Sequence, residues 1–172
     1  MVLPLLAASP AGLSLRTAAG GVEVIAPARD RRATVVLIVL AECPIARGYS
    51  PEMARLAREY GTKGVRFVMA FADGSPAAWT AQMRAFGLGF PATRAEPALV
   101  RRLGAKAVPT AAVVGADGTL AYVGRIDDRY PALGVQREPR RRDLRLALDA
   151  FLSGRRGPTT RTTVIGCALP PG

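Results

Sequence analysis

The sequence contains no histidine among its 172 residues, and this absence excludes several kinds of chemistry. Without an imidazole, no Ser-His-Asp or Cys-His arrangement can activate a nucleophile. Zinc and copper sites that use histidine ligands are excluded for the same reason. Any nucleophile in this chain must therefore be activated by backbone dipoles or by arginine.

Lysine and long apolar runs are also scarce. Lys63 and Lys106 are the only lysines, so the net charge of +11 comes almost entirely from scattered arginines. The one dense basic run, residues 140–142, lacks the interleaved aromatic side chains expected of a nucleic-acid surface. No segment approaches the roughly 18 apolar residues of a membrane-spanning helix. We therefore expect neither a nucleic-acid partner nor a membrane span.

The N-terminus leaves the cellular location open. Residues 1–12 are mostly apolar and small but lack the basic start of a secretory signal, so they form either a flexible N-terminus or the remnant of a leader. Cytoplasmic and exported locations remain equally open, because two cysteines do not identify a redox compartment. Composition favours one globular domain over residues 13–153, followed by an extended C-terminal tail over 154–172.

The order of predicted elements defines an α/β fold. Alternating residues at 13–16 and 22–25 predict an N-terminal β-hairpin, and the β-branched run Thr34–Leu40 predicts a central strand buried on both faces. A helix then begins at Pro44 and continues to Gly61, with a kink at Pro51 or a fresh start capped by Ser50. Further segments predict a strand at 65–72, helices at 75–87 and 97–103, hairpin strands at 110–114 and 119–123, and a helix at 143–152. This order matches the thioredoxin fold, a mixed central sheet flanked by helices.

Cys43 stands where the central strand ends and the helix begins. Unpaired backbone N–H groups and the positive end of the helix dipole favour a thiolate at such a junction, which lowers the thiol pKa from about 8.5. A lone cysteine is otherwise a small buried apolar side chain. The strand-Cys-Pro-helix setting makes Cys43 the candidate nucleophile.

The segment ECPIARGYSPE, residues 42–52, resembles the active-site segment of bacterial redoxins, the AhpC/TSA-like proteins of the thioredoxin-like superfamily. Three later segments resemble one redoxin subgroup: KGVRF at 63–67, GRIDDR at 124–129 and GC at 166–167. The resemblance extends from about residue 13 to residue 167. It implies the thioredoxin fold and a redox-active cysteine with antioxidant, peroxiredoxin-like activity.

Two positions depart from the patterns of related families. Ala46 stands where thioredoxin-like reductases carry their second cysteine, so a local Cys-x-x-Cys disulfide is impossible. Leu40 stands where peroxiredoxins usually carry the Thr or Ser that helps to orient peroxide. These departures favour one-cysteine chemistry or a distant two-cysteine cycle.

Cys167 is the only other cysteine, and it lies in the tail. It could resolve a sulfenic acid on Cys43, pair with a second subunit in a homodimer, tie down the tail in a static disulfide, or have no catalytic part. The resemblance supports a role, because tails of the subgroup end in a similar Gly-Cys pair.

Val108-Pro109-Thr110 precedes a predicted strand, where thioredoxin-fold proteins carry a cis-proline facing the active cysteine. A cis X-Pro bond would present the backbone of Val108 to an extended substrate. We expect Pro44, Val108 and Thr110 to line this substrate site.

Two arginines are rival candidates for stabilising the thiolate. The resemblance to peroxiredoxins points to Arg125, after the second hairpin strand, whereas Arg47 lies one turn beyond Cys43. Either one is equally compatible with an ordinary surface role.

The leading hypothesis is a thiol-based oxidoreductase without metal or organic cofactor. Cys43 would attack a peroxide or a disulfide, and Cys167 or an external thiol reductant would resolve the product. The alternative is a non-catalytic thioredoxin-like module that uses its groove to bind a partner protein. A copper chaperone of the Sco type would need a Cys-x-x-x-Cys pair and a histidine, which this chain lacks.

Overall fold

A computed structural model describes residues 13–170 of the chain. The predicted N-terminal hairpin is present: β1 (Leu13–Arg16) pairs antiparallel with β2 (Val22–Ala26). Gly20, in the turn, has a φ of +84°, a left-handed conformation that glycine adopts without strain. The flexible segment or leader expected at residues 1–12 lies outside the described residues.

The central sheet has five strands, in the spatial order β5 (Ala92–Arg94), β4 (Val65–Phe71), β3 (Ala33–Val39), β7 (Thr110–Gly115) and β8 (Leu120–Gly124). Strand β3 is parallel to β4, and β4 is parallel to β5, whereas β7 and β8 continue the other edge antiparallel. All seven residues of β3 are buried, as its β-branched run predicts.

The helix after Cys43 is divided into α1 (Pro44–Gly48) and α2 (Ser50–Gly61), separated by Tyr49. Pro44 and Pro51 each lie in a first turn, where the missing N–H removes no intrahelical hydrogen bond. The fresh start is therefore the correct alternative. Its predicted cap is wrong: Tyr49 occupies the N-cap position, and Ser50 is the first helical residue.

Helices flank the central sheet. Helices α2 and α5 (Asp143–Leu152) contact each other, since the Tyr60 hydroxyl donates a hydrogen bond to Asp149 at 2.7 Å and Arg145 pairs with Glu59 at 2.6 Å. Trp79 stacks on Phe71 of β4, with ring centroids 5.5 Å apart. Trp79 belongs to α3 (Pro76–Ala85), and the shorter α4 (Pro97–Leu103) follows β5.

Asp128 organises the irregular segment at residues 125–142. Its carboxylate accepts hydrogen bonds from the backbone N–H groups of Arg140 (2.7 Å) and Arg141 (2.9 Å) and from the guanidinium of Arg137 (2.7 Å). Burial opposes the charged form, but these donors outweigh it and hold the pKa of Asp128 below its usual value. The segment that precedes α5 is therefore fixed although it has no regular structure.

The C-terminal tail returns to the domain. Its strand β9 (Cys167–Ala168) pairs antiparallel with β6 (Ala107–Val108) and forms a separate two-stranded sheet. Within residues 13–170, no helix combines the length and the apolar character needed to cross a membrane.

Candidate redox-active cysteine site

Cys43 is the first residue after the turn that follows β3, and it occupies the N-cap position of α1. Its N–H donates to the carbonyl of Leu40 at 3.1 Å, which closes the turn between strand and helix. The residue is only 2% exposed, whereas its neighbour Pro44 lies on the surface. The sulfur is thus held at the strand-to-helix junction predicted from the sequence.

Both the backbone N–H and the backbone carbonyl of Ala41 are hydrogen-bonded to side chains. The Ala41 N–H donates to the Asp73 carboxylate at 2.6 Å, and its carbonyl accepts a hydrogen bond from the Arg47 guanidinium at 2.9 Å. The carbonyl of Asp73 accepts a hydrogen bond from the Trp79 indole at 2.6 Å. These contacts fix the turn two residues before Cys43.

Cys43 and Cys167 form a disulfide across a sequence separation of 124 residues. Their Cα atoms are 6.0 Å apart, within the range that a disulfide spans without backbone movement. A local second cysteine is absent, and the tail supplies the partner instead.

Backbone pairing places Cys167 beside β6. Val108 lies opposite Cys167, Ala107 lies opposite Ala168, and the N–H of Leu169 donates to the carbonyl of Lys106 at 2.9 Å. The carbonyl oxygen of Val108 is 3.9 Å from the Cys43 sulfur. Backbone of β6 and both sulfurs therefore meet at one place.

The residues after Val108 shape the same edge. The Val108–Pro109 peptide bond is cis, and Pro109 is buried. Thr110 is 2% exposed, and its hydroxyl donates to the carbonyl of Ala107 at 2.7 Å. The Thr110 side chain thus holds the backbone of β6 from the buried side, while the backbone of Val108 pairs with Cys167 of the tail.

Close approaches at two glycines hold the tail. A Cβ on Gly124 would lie 2.0 Å from the Thr162 hydroxyl, and a Cβ on Gly166 would lie 1.8 Å from the Val108 carbonyl oxygen. The Thr162 hydroxyl also contacts the Tyr122 hydroxyl at 2.6 Å. Burial is the main cause that raises the pKa of Tyr122 to about 12. The tail therefore lies against the domain at two points that require glycine.

The two candidate thiolate-stabilising arginines have other partners. Arg125 binds Asp143 at 2.7 Å, and this pair holds the pKa of Arg125 above its usual value although burial opposes the charge. Arg47 binds the Ala41 carbonyl and pairs with Glu42 at 3.1 Å. Arg47 thus contacts the turn before Cys43, whereas Arg125 anchors the start of α5.

Tyr49 and Asp127 form a buried contact that the sequence analysis did not identify. The Tyr49 hydroxyl donates to Asp127 at 2.6 Å, and Arg129 completes the group by pairing with Asp127 at 3.0 Å. Burial, reinforced by the Asp127 charge, raises the pKa of Tyr49 well above its ordinary value. The sequence feature that could have indicated this contact is the Asp-Asp-Arg run at residues 127–129. The carboxylate of Asp127 in that run contacts Tyr49, which separates α1 from α2.

Within the described range 13–170, no group of three or more cysteine, aspartate or glutamate side chains is arranged to hold a metal ion. The groups at the site are instead a disulfide, backbone hydrogen-bonding groups and paired charges.

Two solved structures resemble this protein over more than nine-tenths of its length. A hypothetical protein from Sinorhizobium meliloti is 26% identical, with a TM-score of 0.78 over 93% of this chain and 91% of that one. An uncharacterized conserved protein from Geobacillus kaustophilus is also 26% identical, with a TM-score of 0.76 over 94% and 89%. No protein-family model and no curated protein sequence matches the chain.

A thiol:disulfide interchange protein of the thioredoxin family from Chlorobium tepidum is 22% identical, with a TM-score of 0.62 over 84% of this chain and 96% of that one. At that identity the likeness concerns the fold alone. Together with the strand order it confirms the thioredoxin fold predicted from the sequence. The chain is a thioredoxin-fold protein in which Cys43, at the N-cap of α1, is linked to Cys167 of the C-terminal tail.

Proposed function

We propose that this protein is a thiol–disulfide oxidoreductase whose redox couple is Cys43 with Cys167. The observation that carries the proposal is their disulfide, which joins the strand-to-helix junction to the paired tail. In this assignment Cys43 is the nucleophile and Cys167 is the resolving cysteine. Backbone of Val108, supported by Pro109 and Thr110, and the exposed ring of Pro44 form the substrate groove.

The reaction proceeds by two exchanges. A partner thiolate attacks the disulfide, forms a mixed disulfide with one cysteine and releases the other as a thiolate. A second partner thiol, deprotonated, attacks the mixed disulfide, so the partner leaves with a disulfide and both cysteines of this chain are reduced. Two electrons pass from the partner to the protein, and the reverse sequence oxidises the protein at the expense of a disulfide.

The surroundings of Cys43 favour disulfide exchange over peroxide reduction. Leu40 brings no hydroxyl to the turn, and the guanidinium groups of Arg47 and Arg125 already bind Ala41 and Asp143. By contrast, β6 pairs with the tail as an extended strand, and an extended polypeptide can pair with the same backbone groups once the tail has left. These features suit a substrate that arrives as a peptide strand.

The test compares the reduced wild-type chain with Cys43→Ser and Cys167→Ser after addition of oxidised glutathione. Non-reducing mass spectrometry should show wild-type protein lighter by two hydrogens, and Cys167→Ser stopped as a glutathione adduct on Cys43. A parallel incubation with hydrogen peroxide tests the peroxide alternative: rapid disulfide formation there would make peroxide the oxidant.

The binding-module alternative predicts a different result. In that case Cys43 of the Cys167→Ser variant would react with oxidised glutathione no faster than the same thiol in unfolded protein. Both wild-type thiols would also remain reduced in either oxidant. That outcome would reject the redox proposal.

A further inference from the structure

The tail contacts the groove as an extended strand. Strand periodicity turns Cys167 toward Cys43, leaves Ala168 exposed and turns Leu169 back toward the domain, where it packs against the core. Two successive backbone pairings and the Leu169 N–H hold this strand along residues 106–108. Residues 165–169, Ile-Gly-Cys-Ala-Leu, therefore display how a peptide cysteine can reach Cys43.

The residue before the cysteine has no room for a side chain. A Cβ at position 166 would lie 1.8 Å from the carbonyl oxygen and 2.8 Å from the carbonyl carbon of Val108. Both are backbone atoms of a residue that is 0% exposed and is followed by the buried Pro109, so they cannot move aside as a flexible side chain would. A bound strand with any residue other than glycine at this position must lie farther from β6, and its cysteine sulfur then lies farther from Cys43.

The second residue after the cysteine meets an apolar cavity. A cavity of about 540 Å³ adjoins Leu169 and is lined by Pro97 and Val100 of α4 together with small apolar side chains. Arg101 and Lys106 also line this cavity. An apolar side chain at the position of Leu169 in a bound strand buries its surface in this cavity. Ala168, between Cys167 and Leu169, makes no comparable contact.

Building on the proposed function, we propose that the groove selects peptide cysteines that are preceded by glycine and followed two residues later by an apolar side chain. The tail is the chain's own example of this substrate class and occupies the groove while the disulfide is closed. An external substrate strand competes with the tail for β6. The pattern is Gly-Cys-x-apolar.

The test uses the full chain with Gly166→Ala and Cys167→Ser, because the new Cβ should expel the tail and leave Cys43 as the only thiol. Each peptide carries its cysteine as a mixed disulfide with thionitrobenzoate. The Cys43 thiolate attacks the peptide sulfur, the bond to thionitrobenzoate breaks, and the coloured thiolate leaves with the electron pair. Its release gives the rate.

Four peptides isolate the two contacts. The reference is Val-Ile-Gly-Cys-Ala-Leu-Pro; the others replace Gly by Ala, Leu by Asp, or the exposed Ala by Ser as the matched control. Rates are divided by those of the same protein unfolded in denaturant, which removes differences in intrinsic reactivity. We expect the Gly-to-Ala peptide to be slower by about tenfold or more, the Leu-to-Asp peptide to be several-fold slower, and the control to be unchanged.

The outcomes separate this inference from the proposed function. Rates that exceed those of unfolded protein but are equal for the Gly and Ala peptides overturn the selectivity and leave the redox function standing. Rates no higher than those of unfolded protein reject both. The single variant Cys167→Ser, which keeps Gly166, should react more slowly with the reference peptide than the double variant does; equal rates show that the tail does not occupy the groove.

Discussion

At the scale of single residues, the position of Cys43 depends on how the peptide groups of Ala41 are held. Asp73 accepts the Ala41 N–H, and Ala41 is only 6% exposed, so removing the carboxylate leaves a buried donor unpaired. We expect Asp73→Ala to lower the free energy of unfolding by about 1–3 kcal/mol in urea denaturation. The displaced turn should also slow closure of the Cys43–Cys167 disulfide.

Asp73→Asn is the matched control, because the amide retains an oxygen that can accept the same hydrogen bond. It should recover most of the lost stability and most of the rate of disulfide closure. An Asp73→Ala protein as stable as the wild type, with unchanged closure, would mean that the contact does not position Cys43.

The site residues differ in how much the sequence could reveal about them. Cys43 was identifiable because a buried strand, a cysteine and a helix-starting proline are contiguous. The roles of the two arginines were not assignable, because each depends on which acceptor the fold places nearby. Arg125 pairs with Asp143, 18 residues further along the chain, and Arg47 binds the carbonyl of Ala41 in the turn before Cys43. The contact between Tyr49 and Asp127 was not predictable, because the two residues are 78 positions apart in the sequence.

At the scale of elements, prediction succeeded where hydrophobic periodicity is strong. The run 34–40 and the hairpin strands at 110–115 and 120–124 follow directly from their residues. Strand β5 was missed because three residues are too few to show an alternation. Strand β9 was missed because its partner β6 lies far back in the chain and local sequence does not encode that pairing.

The docking of the tail on β8 is an element-scale feature that a glycine substitution can test. Val123 exchanges backbone hydrogen bonds with Thr160 and Thr162, and Gly124 permits this by lacking a Cβ. We expect Gly124→Ala to detach this part of the tail and to speed tryptic cleavage at Arg155, Arg156 and Arg161 in the oxidised protein.

Gly61→Ala provides the control for that experiment, because a Cβ at the last residue of α2 would meet no atom within 4 Å apart from its chain neighbours and the backbone of its own helix. Its cleavage pattern should match that of the wild type. If Gly124→Ala is cleaved no faster than Gly61→Ala, the close approach of Thr162 does not hold the tail.

At the scale of the whole molecule, the disulfide closes a loop that runs from Cys43 to Cys167 and, of the strands and helices described, leaves only β1, β2 and β3 outside it. A cross-link over 124 residues removes many conformations from the unfolded chain, so reduction should lower the free energy of unfolding by about 2–5 kcal/mol. By thermodynamic linkage, folding favours the disulfide over the two thiols by the same amount. A reducing partner must therefore supply that free energy or compensate for it through its own contacts.

Urea unfolding of oxidised and reduced wild-type protein measures this difference directly, and Cys167→Ser with and without reductant serves as the control. The variant should match reduced wild-type protein and should not respond to the reductant. Equal stability of the two wild-type forms would mean that the unfolded chain gains no freedom on reduction. The tail would then be held by its backbone pairing alone, and the cross-link would serve exchange chemistry without stabilising the fold.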